Sequence, residues 1–383
     1  MVLEARQAGA RVLPFDDVSF ERWLLEHALP LWAEAGMHKP NGGVWEALSH
    51  EGVPVHQMPK RVRVQARQAY VFASAEAKWP NYGHAEAAEH AFHFLAENAF
   101  DRRESKLAAL LESSGRVLDE TQDLYDLAFM LLALSSLWRS GRKSIAEQWL
   151  PQWEKALAAH EDSQGWRETP CGRLPRRQNP HMHLFEASLA FYEVSGLPRF
   201  LDIAKRCLAL FRDCFYSSEN GLILEYFGED WSPLAELGQV VEPGHMVEWV
   251  HLLGEYERVS KDTSGVDLRY LYDKALLVGK DRSGRYLVNR VSVDGRVIDG
   301  ARRLWPQTEY LKASIMLSRL GERLPIDQQP NKLLENISIS YLDVPVMGGW
   351  YDNFDDSGKL ASEVMPSSSF YHLWSAFEAF AQR

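Results

Sequence analysis

Prolines stand at positions 59, 180, 243, 306 and 366, and their spacing constrains the fold more than any other feature of the chain. Successive intervals are about 60 residues, except the first, which is double and has Thr121 near its middle. A fixed period of that length is the mark of repeated supersecondary units. Each position opens a stretch with helical periodicity: MPKRVRVQAR, ETQDLYDLAF, NPHMHLFEA, EPGHMVEW, WPQTEYLKA and MPSSSFYHLW. Proline suits the first helical position, where its missing N–H leaves no bond unmade.

Six further helices are expected between these marks. FERWLLEHALPLWAEAG (20–36) follows Asp16 and Asp17 as caps, and the others fall at 85–100, 144–160, 199–215, 266–279 and about 326–341. Twelve helices in alternating roles make six helical hairpins. The fold class expected is all-α, an (α/α)6 barrel occupying residues 1–383 as a single domain, with short β-hairpins on one rim. Asp294-Gly295 within 285–297 predicts one hairpin, 221–233 has the look of another, and the turn-rich 347–360 is expected to cross the same rim.

Composition narrows the function. Hydrophobic residues make up 46% of the chain, enough for a large core, and the net charge of −11 argues against nucleic acid as a partner. The three cysteines, Cys171, Cys207 and Cys214, form no C-x-x-C, so a reducing cytoplasm is expected, with Cys207 and Cys214 as core thiols on one helix face. MVLEARQAGARVLPFDD lacks the apolar run of a secretory leader, and no stretch is apolar enough to cross a membrane. The thirteen tryptophans suit helix packing, and a few suit stacking on pyranose faces.

The opening turns of the marked helices carry the chemistry. Arg63 and Arg67 are one turn apart, His183 pairs with Glu186 and His245 with Glu248 three residues on, and Asp123 and Asp126 repeat the spacing without histidine. Gln307 and Glu309 follow Pro306, and Tyr371-His372 follows Pro366. In a closed barrel these faces converge on one cavity suited to acid–base work near neutral pH. Each group also has a structural reading: a buried histidine, a carboxylate at a helix start, a solvated arginine face. Recurrence in register favours a site. His181 and His183, two apart, point to different sides of a helix, and no metal or nucleotide motif is present, so no metal and no cofactor are expected.

The segments QARQAYVFA (65–73), RQNPHMHLFEA (177–187), EPGHMVEW (242–249), RRLWPQTEYLKA (302–313), GGWYD (348–352) and MPSSSFYHLW (365–374) resemble the N-acylglucosamine 2-epimerase superfamily. The wording of NPHMH and WPQTE is most similar to its mannose isomerase branch. The resemblance implies the same barrel and cofactor-independent proton transfer beside a sugar carbonyl, with a monosaccharide as the partner; the assembly expected is a monomer or homodimer, which the sequence leaves open. It implies an aldose–ketose isomerase for D-mannose and D-fructose, with D-lyxose and D-xylulose as a second pair. By matching motifs, His245 and His372 would be the acid–base pair. His183 with Glu248 would help open the pyranose ring, and Arg67 would hold the carbonyl oxygen. Arg63, Asn179, Glu186, Trp249, Trp305, Glu309 and Trp350 would line or support the pocket. Four alternatives stay open: a non-catalytic sugar-binding protein and three enzymes. Of the enzymes, one is a sugar 2-epimerase. Another is an isomerase of a phosphorylated or sulfonated sugar, for which Lys60-Arg61-x-Arg63, Arg173 with Arg176-Arg177, and Arg302-Arg303 are candidate contacts. The third is an inverting glycoside hydrolase using two of Asp123, Asp126, Glu186 and Glu248.

Overall fold

A computed structural model describes residues 15–381; most of the stretch read above for a leader lies outside them. The first outer helix is made of α1 (Asp17–Trp23), a π-helical turn and α2 (Leu29–Glu34), and Asp16 caps it through the Ser19 N–H. Inner helices α3 (Val62–Lys78), α5 (Leu124–Arg139), α7 (Gln178–Ser195), α9 (Pro243–Ser260), α11 (Leu304–Arg319) and α13 (Ser368–Ala381) alternate with outer helices α4 (His84–Asn98), α6 (Lys143–Ala158), α8 (Pro198–Leu210), α10 (Leu268–Gly279) and α12 (Pro330–Tyr341). Each inner helix packs on the next, and α13 returns to α3, closing the ring. Outer helices lie against the inner helix that precedes them. α1 instead packs on α13, so the sixth pair joins the two ends of the barrel and only five pairs are consecutive hairpins. The inner helices are apolar nearly all round, as a helix with neighbours on both sides must be. The outer helices bury one stripe, such as Trp149, Leu150 and Trp153 of α6.

The prolines mark the repeat but not one fixed helix position. Pro243 is the first residue of α9, Pro180 and Pro306 are the third of α7 and α11, and Pro59 and Pro366 precede their helices. The first turn of any helix has unpaired N–H groups, so proline is tolerated throughout it. Thr121 also lies outside its helix, which Asp123 caps by accepting from the Tyr125 N–H.

What positions the inner helices is a set of small antiparallel ribbons on one rim. Lys60–Arg61 pairs with Leu110–Leu111, Arg176–Arg177 with Tyr226–Phe227, Val240–Val241 with Val291–Ser292, Arg302–Arg303 with Asn353–Phe354, and Val364–Pro366 with Ala47–Ser49. The hairpin expected from Asp294-Gly295 is present as Arg290–Ser292 with Val297–Asp299. The 221–233 stretch is more divided than expected: Phe227 bridges Pro233 antiparallel within it, while Leu222–Ile223 pairs back to Tyr216–Ser217 and Tyr226–Phe227 pairs with Arg176–Arg177. Cys207 is a core thiol, whereas Cys214 is only half-buried, because it lies in the π-helical turn Phe211–Phe215 that ends α8.

Candidate active site

The N-terminal ends of the inner helices surround a cavity of about 260 Å3 on the ribbon-bearing rim. His245 enters it from the first turn of α9, His372 from α13, and Trp305 from α11 between them. The Trp305 ring lies 5.1 Å from His245 and 5.8 Å from His372. Gly244 makes that placement possible, since a Cβ there would lie 2.6 Å from the indole. Arg67, His183, Glu248 and Asn179 complete the deeper wall.

Each of the two histidines that flank Trp305 is fixed through Nδ1 by a buried carboxylate. His245 Nδ1 lies 3.0 Å from both oxygens of Glu225 and 3.7 Å from Glu242. Glu225 accepts from Gln178 Nε2 at 3.0 Å, and Gln178 in turn accepts from Trp249 Nε1 at 2.8 Å, so its support is neutral. Burial, the largest influence, favours neutral His245, but the charge of Glu225 and then that of Glu242 outweigh it and hold the imidazole up at about 10. His372 Nδ1 lies 2.8 Å from Glu309, whose other oxygen is 2.7 Å from the buried Lys312 ammonium. With Glu309 compensated, burial, Arg67, Lys312 and His183 push His372 well below an ordinary imidazole, against the pull of Glu186. Both rings turn their Nε2 edges to the cavity they line.

The third histidine belongs to a separate pair. His183 Nδ1 is 3.1 Å from Glu186, which also accepts from Tyr371 Oη, and 4.0 Å from Glu248. Burial brings His183 down to about 4, although Glu186 pulls the other way. Burial and then the charge of Glu309 push Glu248 well above the usual carboxylate range, toward the protonated form. Arg67 Nη2 donates to Tyr125 Oη at 2.8 Å, and its guanidinium lies over Phe129 at 4.1 Å, with no carboxylate in contact. It is a cation available to a developing oxyanion.

Several expected pocket residues lie elsewhere. Trp249 is fully buried behind the wall against Phe211 and Phe185, where it supports Gln178. Trp350 stacks on Trp32 at 4.6 Å and is core; GGWYD places its backbone at the rim but turns the indole inward. Glu309 and Glu186 lie beneath the histidines they hold. Arg63 does line the cavity, tied to Asp126 at 2.8 Å. The carboxylates considered for glycoside hydrolysis are engaged otherwise: Asp126 by Arg63, Asp123 by Arg177 at 3.2 Å, and Glu186 by His183 and Tyr371. Of the four, Glu248 lines the cavity. Among the described residues, His183, Glu186 and Glu248 are the one group with donor atoms close enough to share a cation, within 4.8 Å. The Lys312 ammonium already supplies positive charge to both carboxylates.

Sequence reasoning missed Glu225, Gln178 and Lys312. The signal for Glu225 was in the repeat. Glu46, Glu168, Glu225 and Asp352 occupy equivalent places after outer helices, and the backbone oxygen of each accepts an N–H at the start of an inner helix: Ser367, Leu124, Gln178 and Leu304. Glu46, Glu168 and Asp352 each face a rim arginine, Arg61, Arg177 and Arg303, whereas Glu225 faces His245.

Two histidines held by buried carboxylates, beside Arg67 and Trp305, equip this rim for acid–base chemistry, and the similar proteins are sugar isomerases and epimerases. The chain belongs to the N-acylglucosamine 2-epimerase family, which it matches over residues 43–376. It is 33% identical to a mannose-6-phosphate isomerase of Rhizobium meliloti (strain 1021), over 92% of this chain and 93% of that protein. It is 23% identical to a cellobiose 2-epimerase of Ruminococcus albus, over 86% and 88%. A solved D-mannose isomerase shares the fold with a TM-score of 0.85 at 22% identity, covering 97% of this chain and all of that one. No helix of the described residues is long and apolar enough to cross a membrane.

Proposed function

We propose that this protein is an aldose–ketose isomerase that interconverts a mannose-configured aldose and its 2-ketose, D-mannose and D-fructose in the simplest case, without a metal. The observation that carries this reading is the unequal wiring of His245 and His372. Lys312 compensates the carboxylate behind His372, which leaves that ring a neutral base. Among the described residues no lysine or arginine pairs with Glu225, which favours the charged form of His245.

Glu248, as a neutral acid, donates toward the ring oxygen while His183 accepts from the anomeric hydroxyl, opening the pyranose. His372 then takes the C2 proton of the open-chain aldose. Arg67 and the His245 imidazolium offset the charge of the cis-enediolate. Within the enediolate the O2 proton passes to O1, and His372 returns the carbon proton to C1 on the same face, giving the ketose. Epimerisation would need His245 to deliver a proton to C2 from the other face. A proton held well above the ordinary imidazole range by Glu225 and Glu242 is harder to release, which disfavours that route.

Mannose incubated with the pure protein in D2O tests the assignment. Fructose is expected as the first product; glucose appearing early without fructose would overturn it. A phosphorylated substrate is the second reading, favoured by the name of the 33% identical relative and by arginines at the cavity mouth.

A further inference from the structure

The cavity has two levels. Ser368 precedes His372 by four residues on α13, and Arg63 precedes Arg67 by four on α3, so each lies one turn nearer the mouth on the same helix face. The lower level holds the proton-transfer groups. The upper level holds Arg61, Arg63, Arg303, Ser368 and Ser369, with Glu242 on the α9 side.

The arginines face the cavity with their acids behind them. Arg61 is bound to Glu46, and Arg303 Nε lies 3.7 Å from Asp352. The arginine side chains are 44% and 47% exposed, against 3% and 9% for those carboxylates. Ser369 donates to Asp352 at 2.5 Å and keeps that carboxylate turned inward. Among the described residues, neither Nη of Arg303 has a hydrogen-bond or ion-pair partner, though its charge acts on Glu242. Ser368 is 8% exposed, lines the cavity and makes no side-chain hydrogen bond to a described residue. It stands in the first turn of the fourteen-residue α13, where unpaired backbone N–H groups favour an anion.

We propose that this upper level is a subsite for a terminal phosphate, held by Arg303, Arg61 and Ser368 with the first N–H groups of α13, while C1 and C2 of the same open-chain sugar lie below at His372. The proposal rests on the isomerase reading and specifies its substrate class: an aldose phosphate esterified at the end remote from the carbonyl. Planar guanidinium groups pair with phosphate oxygens through parallel N–H donors, and a hydroxyl with a helix start adds donors along a third direction.

Mannitol 6-phosphate and mannitol have no carbonyl, so calorimetry with them separates binding from turnover. The wild-type protein is expected to bind mannitol 6-phosphate at least about tenfold more tightly than mannitol, and Arg303→Ala to reduce that ratio by about tenfold. In kinetics, the kcat/KM ratio of mannose 6-phosphate to mannose should fall in step, with Arg303→Lys retaining part of it. Circular dichroism checks that the variants fold, and the double variant Arg61→Gln/Arg303→Ala should abolish the preference. Equal wild-type affinity for the two alditols, or a preference that survives the double variant, would overturn the subsite. A phosphate preference without isomerisation of either sugar would retain the subsite and overturn the isomerase reading.

Discussion

The α9 side of the cavity and the α11–α13 side present the same motif, a histidine held through Nδ1 by a buried carboxylate, yet they favour opposite protonation states. The difference lies behind the carboxylate. Glu225 is supported by the neutral amide of Gln178, so its full charge acts on His245. Glu309 is paired with Lys312, so its charge is largely cancelled before it reaches His372. One barrel thereby holds an imidazolium and a neutral imidazole on either side of Trp305 at the same pH. The lesson is that the protonation of a catalytic histidine depends as much on its carboxylate's other partner as on the carboxylate.

Removing the base should have the largest effect. His372→Ala is expected to lower kcat by about 10^3 or more, with circular dichroism unchanged, whereas His245→Ala should cost less, because Arg67 still offsets the enediolate. Equal losses would mean that both rings transfer protons.

Glu225→Gln breaks the comparison from the α9 side. The carboxylate keeps the His245 imidazolium present below about pH 10. Without it the group titrates lower, so the alkaline limb of the kcat profile should move down by one or more pH units, with activity at pH 8.5 reduced more than at pH 6. Lys312→Met breaks it from the other side. Glu309 would then act on His372 uncompensated and favour the charged ring, shifting the acid limb upward and reducing activity at pH 6 more than at pH 8.5. The other groups facing His372, namely Arg67, His183 and Glu186, remain in that variant. A uniform loss at all pH values would assign Lys312 a packing role only.

Gly244→Ala sharpens the geometry between the two sides. Its methyl group would meet the Trp305 ring, so KM should rise several-fold while the pH limbs stay in place. The smallest effect expected is none at all: EDTA should leave the rate unchanged, and inhibition reversed by a divalent ion would transfer the ring-opening role to a cation at His183, Glu186 and Glu248.

Much of this was legible in the chain. The proline period revealed the barrel because five of the six inner helices carry a proline in or just before the first turn, where its missing N–H costs little. His183, Glu186, His245, Glu248, Arg67 and His372 converge because they lie within the first three turns of register-related helices. The two misplaced tryptophans, Trp249 and Trp350, sit in polar motifs at the rim, and sequence cannot show which way an indole turns. Lys312 was hidden in an apolar helix, where a lone lysine three residues after Glu309 reads as an ordinary surface pair. Glu225 was hidden in a loop; only its alignment with Glu46, Glu168 and Asp352 in the repeat sets it apart.

The most direct test of the central claim is 15N NMR of histidine-labelled protein at pH 7.5, with signals assigned by the His245 and His372 variants. The account expects His245 with both ring nitrogens protonated and His372 with a proton on Nδ1 alone. Two neutral rings, or the reverse pattern, would contradict it.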